Sequence, residues 1–117
     1  MDWNDHLAAA NRNIDSFRAL NPAAARGYTA LHQGTMAAGE VPEKVKEMLA
    51  IAIGISSQCT DCIGFHIKAG LRHGLTRAEL AEVVGVAMVM GGGPAYMFGA
   101  MALEAYDQLA PQPDPAG

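Results

Sequence analysis

The chain has 117 residues and a mass of 12.3 kDa, a size that suits one small domain. Half of the residues are hydrophobic and 17% are charged, which excludes disorder over most of the chain and favours a homo-oligomer. The net charge of −4, with no cluster of basic residues, argues against nucleic-acid binding.

Residue composition predicts an all-α fold, because Ala, Leu, Met, Glu and Gln dominate and no segment alternates cleanly between apolar and polar residues. Proline, glycine and capping residues divide the chain into about six helices. In chain order, the predicted helices run from near Trp3 to Leu20, from Pro22 to near Ala38, from Glu43 to about Ser56, from Cys59 or Thr60 to His73, from Thr76 to Gly91, and from Pro94 to Leu109.

These helices predict a single helical domain over residues 1–110, and the proline-rich segment 111–117 is predicted to be a disordered tail. The N-terminal segment does not have the pattern of a signal peptide, and the longest apolar runs are shorter than the ~20 residues that span a bilayer. We therefore expect a cytoplasmic protein with no membrane association. Cysteines in that compartment are normally reduced, so a structural disulfide is not expected.

Three reactive side chains are grouped at the predicted fourth helix. Cys59 and Cys62 form a C-x-x-C motif, and His66 follows four residues after the second cysteine. At about 100° per residue, all three lie on one helix face. Cys59 stands at the helix start, where the helix dipole stabilises a thiolate. Two thiols and a proton-accepting imidazole are the groups that thiol redox chemistry needs.

Zinc binding and a structural role are the alternatives for this motif. The two cysteines and His66 would supply three zinc ligands, with Glu47 or His73 as a fourth. An inert pair of helical cysteines is also compatible with the spacing. The residues alone favour redox chemistry without excluding either alternative.

The spacing E-x(11)-C-x-x-C-x-x-x-H, formed by Glu47, Cys59, Cys62 and His66, resembles the core motif of the carboxymuconolactone decarboxylase-like family, in its alkylhydroperoxidase D-like branch. The resemblance extends over residues 22–109. It implies a helical fold that assembles into trimers or hexamers, with no metal and no cofactor. Antioxidant members of this family reduce hydroperoxides or pass electrons to a peroxiredoxin, so the resemblance implies peroxidase or disulfide-reductase activity with a thiol or dihydrolipoyl reductant.

By the same resemblance, Cys62 is the attacking thiol and Cys59 is its disulfide partner, while Glu47 and His66 form a proton relay. The helix-dipole argument instead favours Cys59 as the attacking thiol; we side with Cys62. Some antioxidant members have a histidine where this chain has Asp61, and a carboxylate there disfavours thiolate formation.

Two other functions stay open at this point: a cofactor-free decarboxylase or lyase that uses Glu47 and His66, and a non-catalytic redox-sensing module. Without the resemblance, Glu47 would be interpreted as a solvent-exposed charge. The other histidines, His6, His32 and His73, are interpreted as surface or capping residues.

Overall fold

The computed structural model describes residues 1–111, which form six α-helices and no strand. The all-α prediction is confirmed, and most helix ends agree with the predicted ones to within about one residue. The second helix is shorter than predicted, because it ends at Met36. The helices are α1 (Trp3–Leu20), α2 (Pro22–Met36), α3 (Glu43–Ser56), α4 (Thr60–Arg72), α5 (Arg77–Gly91) and α6 (Gly93–Leu109).

The capping residues act as their sequence predicts. The Asn21 side chain accepts a hydrogen bond from the Ala24 N–H at the start of α2. Thr76 and Glu79 form a complete capping box at the start of α5. Gly74 follows α4 with a φ of +84°, a conformation that favours glycine.

The core lies between α3, α4, α5 and α6, whose inward faces carry aliphatic side chains at helical spacing. A short turn connects α3 to α4, and these two helices pack closely against each other. The fully buried aliphatic side chains at the centre of this core are Ile51, Ile55, Ile63, Ile67 and Leu80.

Helix α1 joins this core through its N-terminal half. Trp3 is fully buried, and Leu7 is nearly so. Both side chains contact α4 at Gly64, where an added Cβ would come within 2.8 Å of Leu7 and 3.1 Å of Trp3. In the second half of α1 no residue is buried, and Phe17 is 53% exposed.

Helix α2 has no buried residue. No helix within the described part of the chain is both long and apolar enough to cross a membrane. Residues 112–117 of the segment predicted to be a tail lie outside the described residues.

Candidate active site

A buried carboxylate on α3 binds a histidine on α4. Glu47 is 5% exposed, and its Oε2 lies 2.7 Å from Nδ1 of His66. The interpretation of Glu47 as a solvent-exposed charge is therefore wrong. A buried carboxylate requires a hydrogen-bonding partner, and His66 provides it. The contact fixes the imidazole ring and leaves its Nε2 as the atom for proton exchange with another group.

The two cysteines form a disulfide at the N-terminus of α4. Cys59 is the N-cap residue, and its Sγ accepts a hydrogen bond from the backbone N–H of Cys62 at 3.2 Å. Both cysteines are partly exposed. Because Cys62 and His66 are four residues apart on α4, the disulfide and the Glu47–His66 pair lie one helical turn apart.

A glycine near the end of α3 allows the disulfide to lie close to that helix. A Cβ at Gly54 would stand 3.3 Å from the Cβ of Cys62, so a larger residue there would press on α4. The carbonyl of Gly54 also accepts a hydrogen bond from the Cys59 N–H at 2.9 Å. Helix α3 therefore holds both ends of the site, with Glu47 near its start and Gly54 near its end.

The family model described as "Carboxymuconolactone decarboxylase family" matches residues 22–105, a range that contains Glu47, both cysteines and His66. The chain belongs to the carboxymuconolactone decarboxylase family. Among its relatives, an uncharacterized protein of Cupriavidus necator is 35% identical over 108 residues, covering 92% of this chain and 96% of its own. An uncharacterized protein of Haemophilus influenzae is 27% identical and covers 90% and 93% of the two chains.

Solved structures of other family members have the same fold. The crystal structure of an apo family protein from Legionella pneumophila has a TM-score of 0.89 and 35% identity, covering 95% of this chain and all of its own. A Thermotoga maritima member, described as a possible participant in the antioxidative response, has a TM-score of 0.79. It is 20% identical and covers 89% of each chain, a likeness that shows the fold alone.

In this family member, a histidine of α2 lies beside the site. The rings of His32 and His66 are 5.8 Å apart with a tilt of 31°, and Tyr28 stands 6.3 Å beyond His32. Lys46 holds this helix in place, because its Nζ donates hydrogen bonds to the carbonyls of Thr35 and Ala37 at the end of α2. Sequence reasoning gave His32 a surface role; the i, i+4 spacing of Tyr28 and His32 was the one available signal.

A second histidine missed by sequence reasoning contacts Asp61, one of the two residues between the cysteines. His6 Nε2 on α1 lies 2.5 Å from Oδ1 of Asp61 on α4. Nothing in the sequence spacing connects these two residues, which are 55 positions apart. Their contact depends on how α1 crosses α4.

The residues of the zinc alternative do not form a metal site within the described part of the chain. His73, considered as a fourth ligand, contacts Glu43 at 3.0 Å, and both cysteines are engaged in the disulfide. Within residues 1–111, no three side chains of His, Cys, Asp or Glu are grouped in a way that could hold a metal ion.

Proposed function

We propose that this protein is a thiol-dependent oxidoreductase that reduces hydroperoxides or small disulfides through Cys59 and Cys62. One observation carries the proposal: a C-x-x-C disulfide caps the helix on which His66, bound to the buried Glu47, follows one turn later. This arrangement combines two sulfur atoms that can exchange electrons with a positioned group that can exchange protons.

In the oxidative half of the cycle, Cys62 is the attacking residue. His66 accepts the thiol proton, and the resulting thiolate attacks the outer oxygen of ROOH. The O–O bond breaks, ROH leaves with a proton, and Cys62 becomes a sulfenic acid. The Cys59 thiol then attacks that sulfur, which releases water and forms the disulfide. Glu47 stabilises the imidazolium that forms on His66.

In the reductive half, a dithiol of the dihydrolipoyl type or a pair of small thiols supplies two electrons. A thiolate of the reductant attacks Cys62, and Cys59 leaves as a thiolate. The N–H that donates to Cys59 Sγ stabilises this leaving group, together with the dipole of α4. The second thiol of the reductant then releases Cys62, and the reductant becomes a disulfide. The cytoplasm supplies such thiols, so we place the protein there.

The dipole of α4 therefore assists the departure of Cys59 during reduction of the disulfide, and not the attack on the hydroperoxide. Cys59 has the position of a good leaving group and resolving thiol, whereas Cys62 lies next to the proton acceptor. The description of the Thermotoga maritima structure is compatible with an antioxidant role for the shared fold.

The test is stopped-flow mixing of the reduced protein with several hydroperoxides, followed by mass analysis of the product. We expect a loss of two hydrogens in the native chain. Cys62→Ser should not react, and Cys59→Ser should react once and stop at a sulfenic acid. The reverse behaviour of the two variants would show that Cys59 attacks. The lyase function would be favoured by two results together: the native chain is not oxidised, and the Cys→Ser variants still turn over a small carboxylic acid.

We also propose that the working form is a trimer or hexamer. Two exposed apolar surfaces support this: one on α1 and α2, and one on α3, α5 and α6. The second surface contains a shallow depression of about 430 Å³ and includes Ile53, 67% exposed, and Val89, 84% exposed. A soluble monomer rarely exposes apolar surface of this extent. The large residues of the first surface are Ile14, Phe17, Leu20, Tyr28 and Leu31.

A further inference from the structure

A charged contact connects the first helix to the redox motif. Asp61 directly precedes Cys62 in the C-x-x-C motif, and its side chain is about half exposed, while that of His6 is 33% exposed. The His6 Nε2 and the Asp61 carboxylate are in hydrogen-bonding contact. The mechanism proposed above does not use either residue.

The position of His6 is determined by the protein core. Its ring meets the edge of the Trp3 ring at 5.9 Å, with 68° between the two planes. Trp3 is itself fully buried, and its indole N–H donates to Glu104 of α6 at 2.7 Å. The backbone N–H of Trp3 donates to Gln108 at 2.7 Å. The imidazole is therefore held near Asp61 by packing that does not depend on the ion pair.

The carboxylate of Asp61 is unfavourable for the ionisation of the two cysteine thiols. A negative charge directly beside Cys62 and two residues from Cys59 opposes the formation of a thiolate. A protonated His6 cancels that charge, and a neutral His6 that donates a hydrogen bond disperses part of it. In either state, His6 weakens the negative potential at the sulfur atoms.

We propose that His6 is a positioning residue of the redox site, which sets the fraction of reactive thiolate through its contact with Asp61. The inference rests on the proposed function, since it concerns the same cysteines. Of the charged groups near this contact, Asp61 faces His6 from α4, and the α6 carboxylate, Glu104, lies beyond the Trp3 ring. Asp61 is the group through which a change at His6 reaches the sulfur atoms.

The experiment is a double-mutant cycle at constant pH on the full chain, with His6→Ala, Asp61→Asn and the combined variant. Each protein is equilibrated with glutathione, so that one protein disulfide and two glutathione thiols exchange with one protein dithiol and one glutathione disulfide. The thiolate fraction is read in parallel from its ultraviolet absorbance. Thermal unfolding is recorded for each variant to identify any that do not fold.

His6→Ala should shift the equilibrium towards the protein disulfide by about threefold and lower the thiolate fraction, the size of effect that a partly exposed ion pair supports. Asp61→Asn should shift both quantities in the opposite direction. In the Asp61→Asn background, removal of His6 should have a much smaller effect. Added salt should reduce the effect of His6→Ala in the native background.

Two results would overturn the inference: no shift in His6→Ala, or an equal shift with and without the Asp61 carboxylate. His6→Phe, which keeps a ring beside Trp3 but has no hydrogen-bond donor for Asp61, replaces His6→Ala if the alanine variant does not fold. The proposed function has a separate readout. If the native disulfide re-forms with neither hydroperoxide nor glutathione disulfide, that function fails, whereas native cycling with unchanged variants rejects the role of His6 alone.

Discussion

The α3–α4 pair and the α1–α2 pair differ sharply in how far the chain itself buries them. The first pair encloses Glu47 and supplies most of the fully buried aliphatic side chains. In the second pair, α1 buries Trp3, Leu7 and Ala10, all in its first half, and α2 buries nothing. The reacting groups therefore lie on the well-packed pair, and the exposed pair brings His6 and His32 to its edge. The comparison separates the candidate redox groups, which one chain packs by itself, from the neighbouring α1–α2 surface, which the same chain leaves largely exposed.

The largest expected effect concerns the packed pair. His66→Ala and Glu47→Gln should each slow peroxide-driven oxidation of the thiols at least about tenfold, because general-base assistance contributes about 10²–10⁴-fold. The glutamine variant keeps a side chain of the same size but removes the charge that stabilises the imidazolium. Stopped-flow oxidation measures the rate. Lys68→Ala, an exposed position on α4, is the matched control and should react at the native rate.

If neither variant were slower than the control, the proton relay would be rejected. The thiols would then ionise without help from Glu47 and His66, and the packed pair would have only a structural role.

The next prediction concerns the apolar surface of α3, α5 and α6. Ile53→Glu should lower the mass measured by light scattering at micromolar concentration, because burial of a carboxylate in an apolar contact is costly. The native chain should give about three or six times 12.3 kDa. Lys68→Glu, which places a carboxylate at an exposed position of α4 outside both apolar surfaces, should leave the mass unchanged.

A native mass near that of one chain would contradict the oligomer. An unchanged mass for Ile53→Glu would instead place the contact between subunits on the α1–α2 surface.

Two glycine substitutions test how tightly α1 packs against α4. Gly64→Ala should lower the free energy of unfolding by about 1–3 kcal/mol, because its Cβ would overlap Leu7 and the ring of Trp3. At Gly85 on α5, an added Cβ meets no atom within 4 Å. Gly85→Ala should raise the free energy of unfolding by about 0.5–1 kcal/mol. Urea unfolding at one protein concentration gives both values. Equal effects would mean that α1 moves away from α4 at little cost.

The smallest effect is expected at His32. His32→Ala removes the ring beside His66 and should slow thiol oxidation by no more than about threefold, the range that a single aromatic contact supports. His32→Phe keeps a ring there and should react at nearly the native rate. A loss as large as that of His66→Ala, shared by the phenylalanine variant, would make His32 part of the proton relay.

The sequence predicted the helices well because their ends are set by local chemistry, as at Asn21 and the capping box of Thr76. The motif also placed Cys59 and Cys62 side by side at the start of α4, with His66 one helical turn after Cys62. The burial of Glu47 was not predictable from α3 itself. That helix is apolar on most sides, so its sequence does not indicate which side packs against the other helices. Only the family resemblance paired it with His66.

The positions of His6 and His32 could not be predicted for a different reason. The position of His6 depends on the angle at which α1 crosses α4, and that of His32 depends on how α2 packs against α3. Both are set by contacts between distant residues, such as Trp3 against Gly64. No local pattern specifies such a crossing.

The disulfide closes a loop between residues only three positions apart. In the chain-entropy model, so short a loop constrains the unfolded chain by only about 2 kcal/mol, against about 3 kcal/mol for a 15-residue loop. Thermodynamic linkage makes this the same free energy by which folding protects the bond from reduction, about 40 mV for a two-electron couple. Folding and reduction of this bond are therefore coupled less strongly than they would be across a longer loop. Reduction of the disulfide should lower the free energy of unfolding by no more than about 2 kcal/mol.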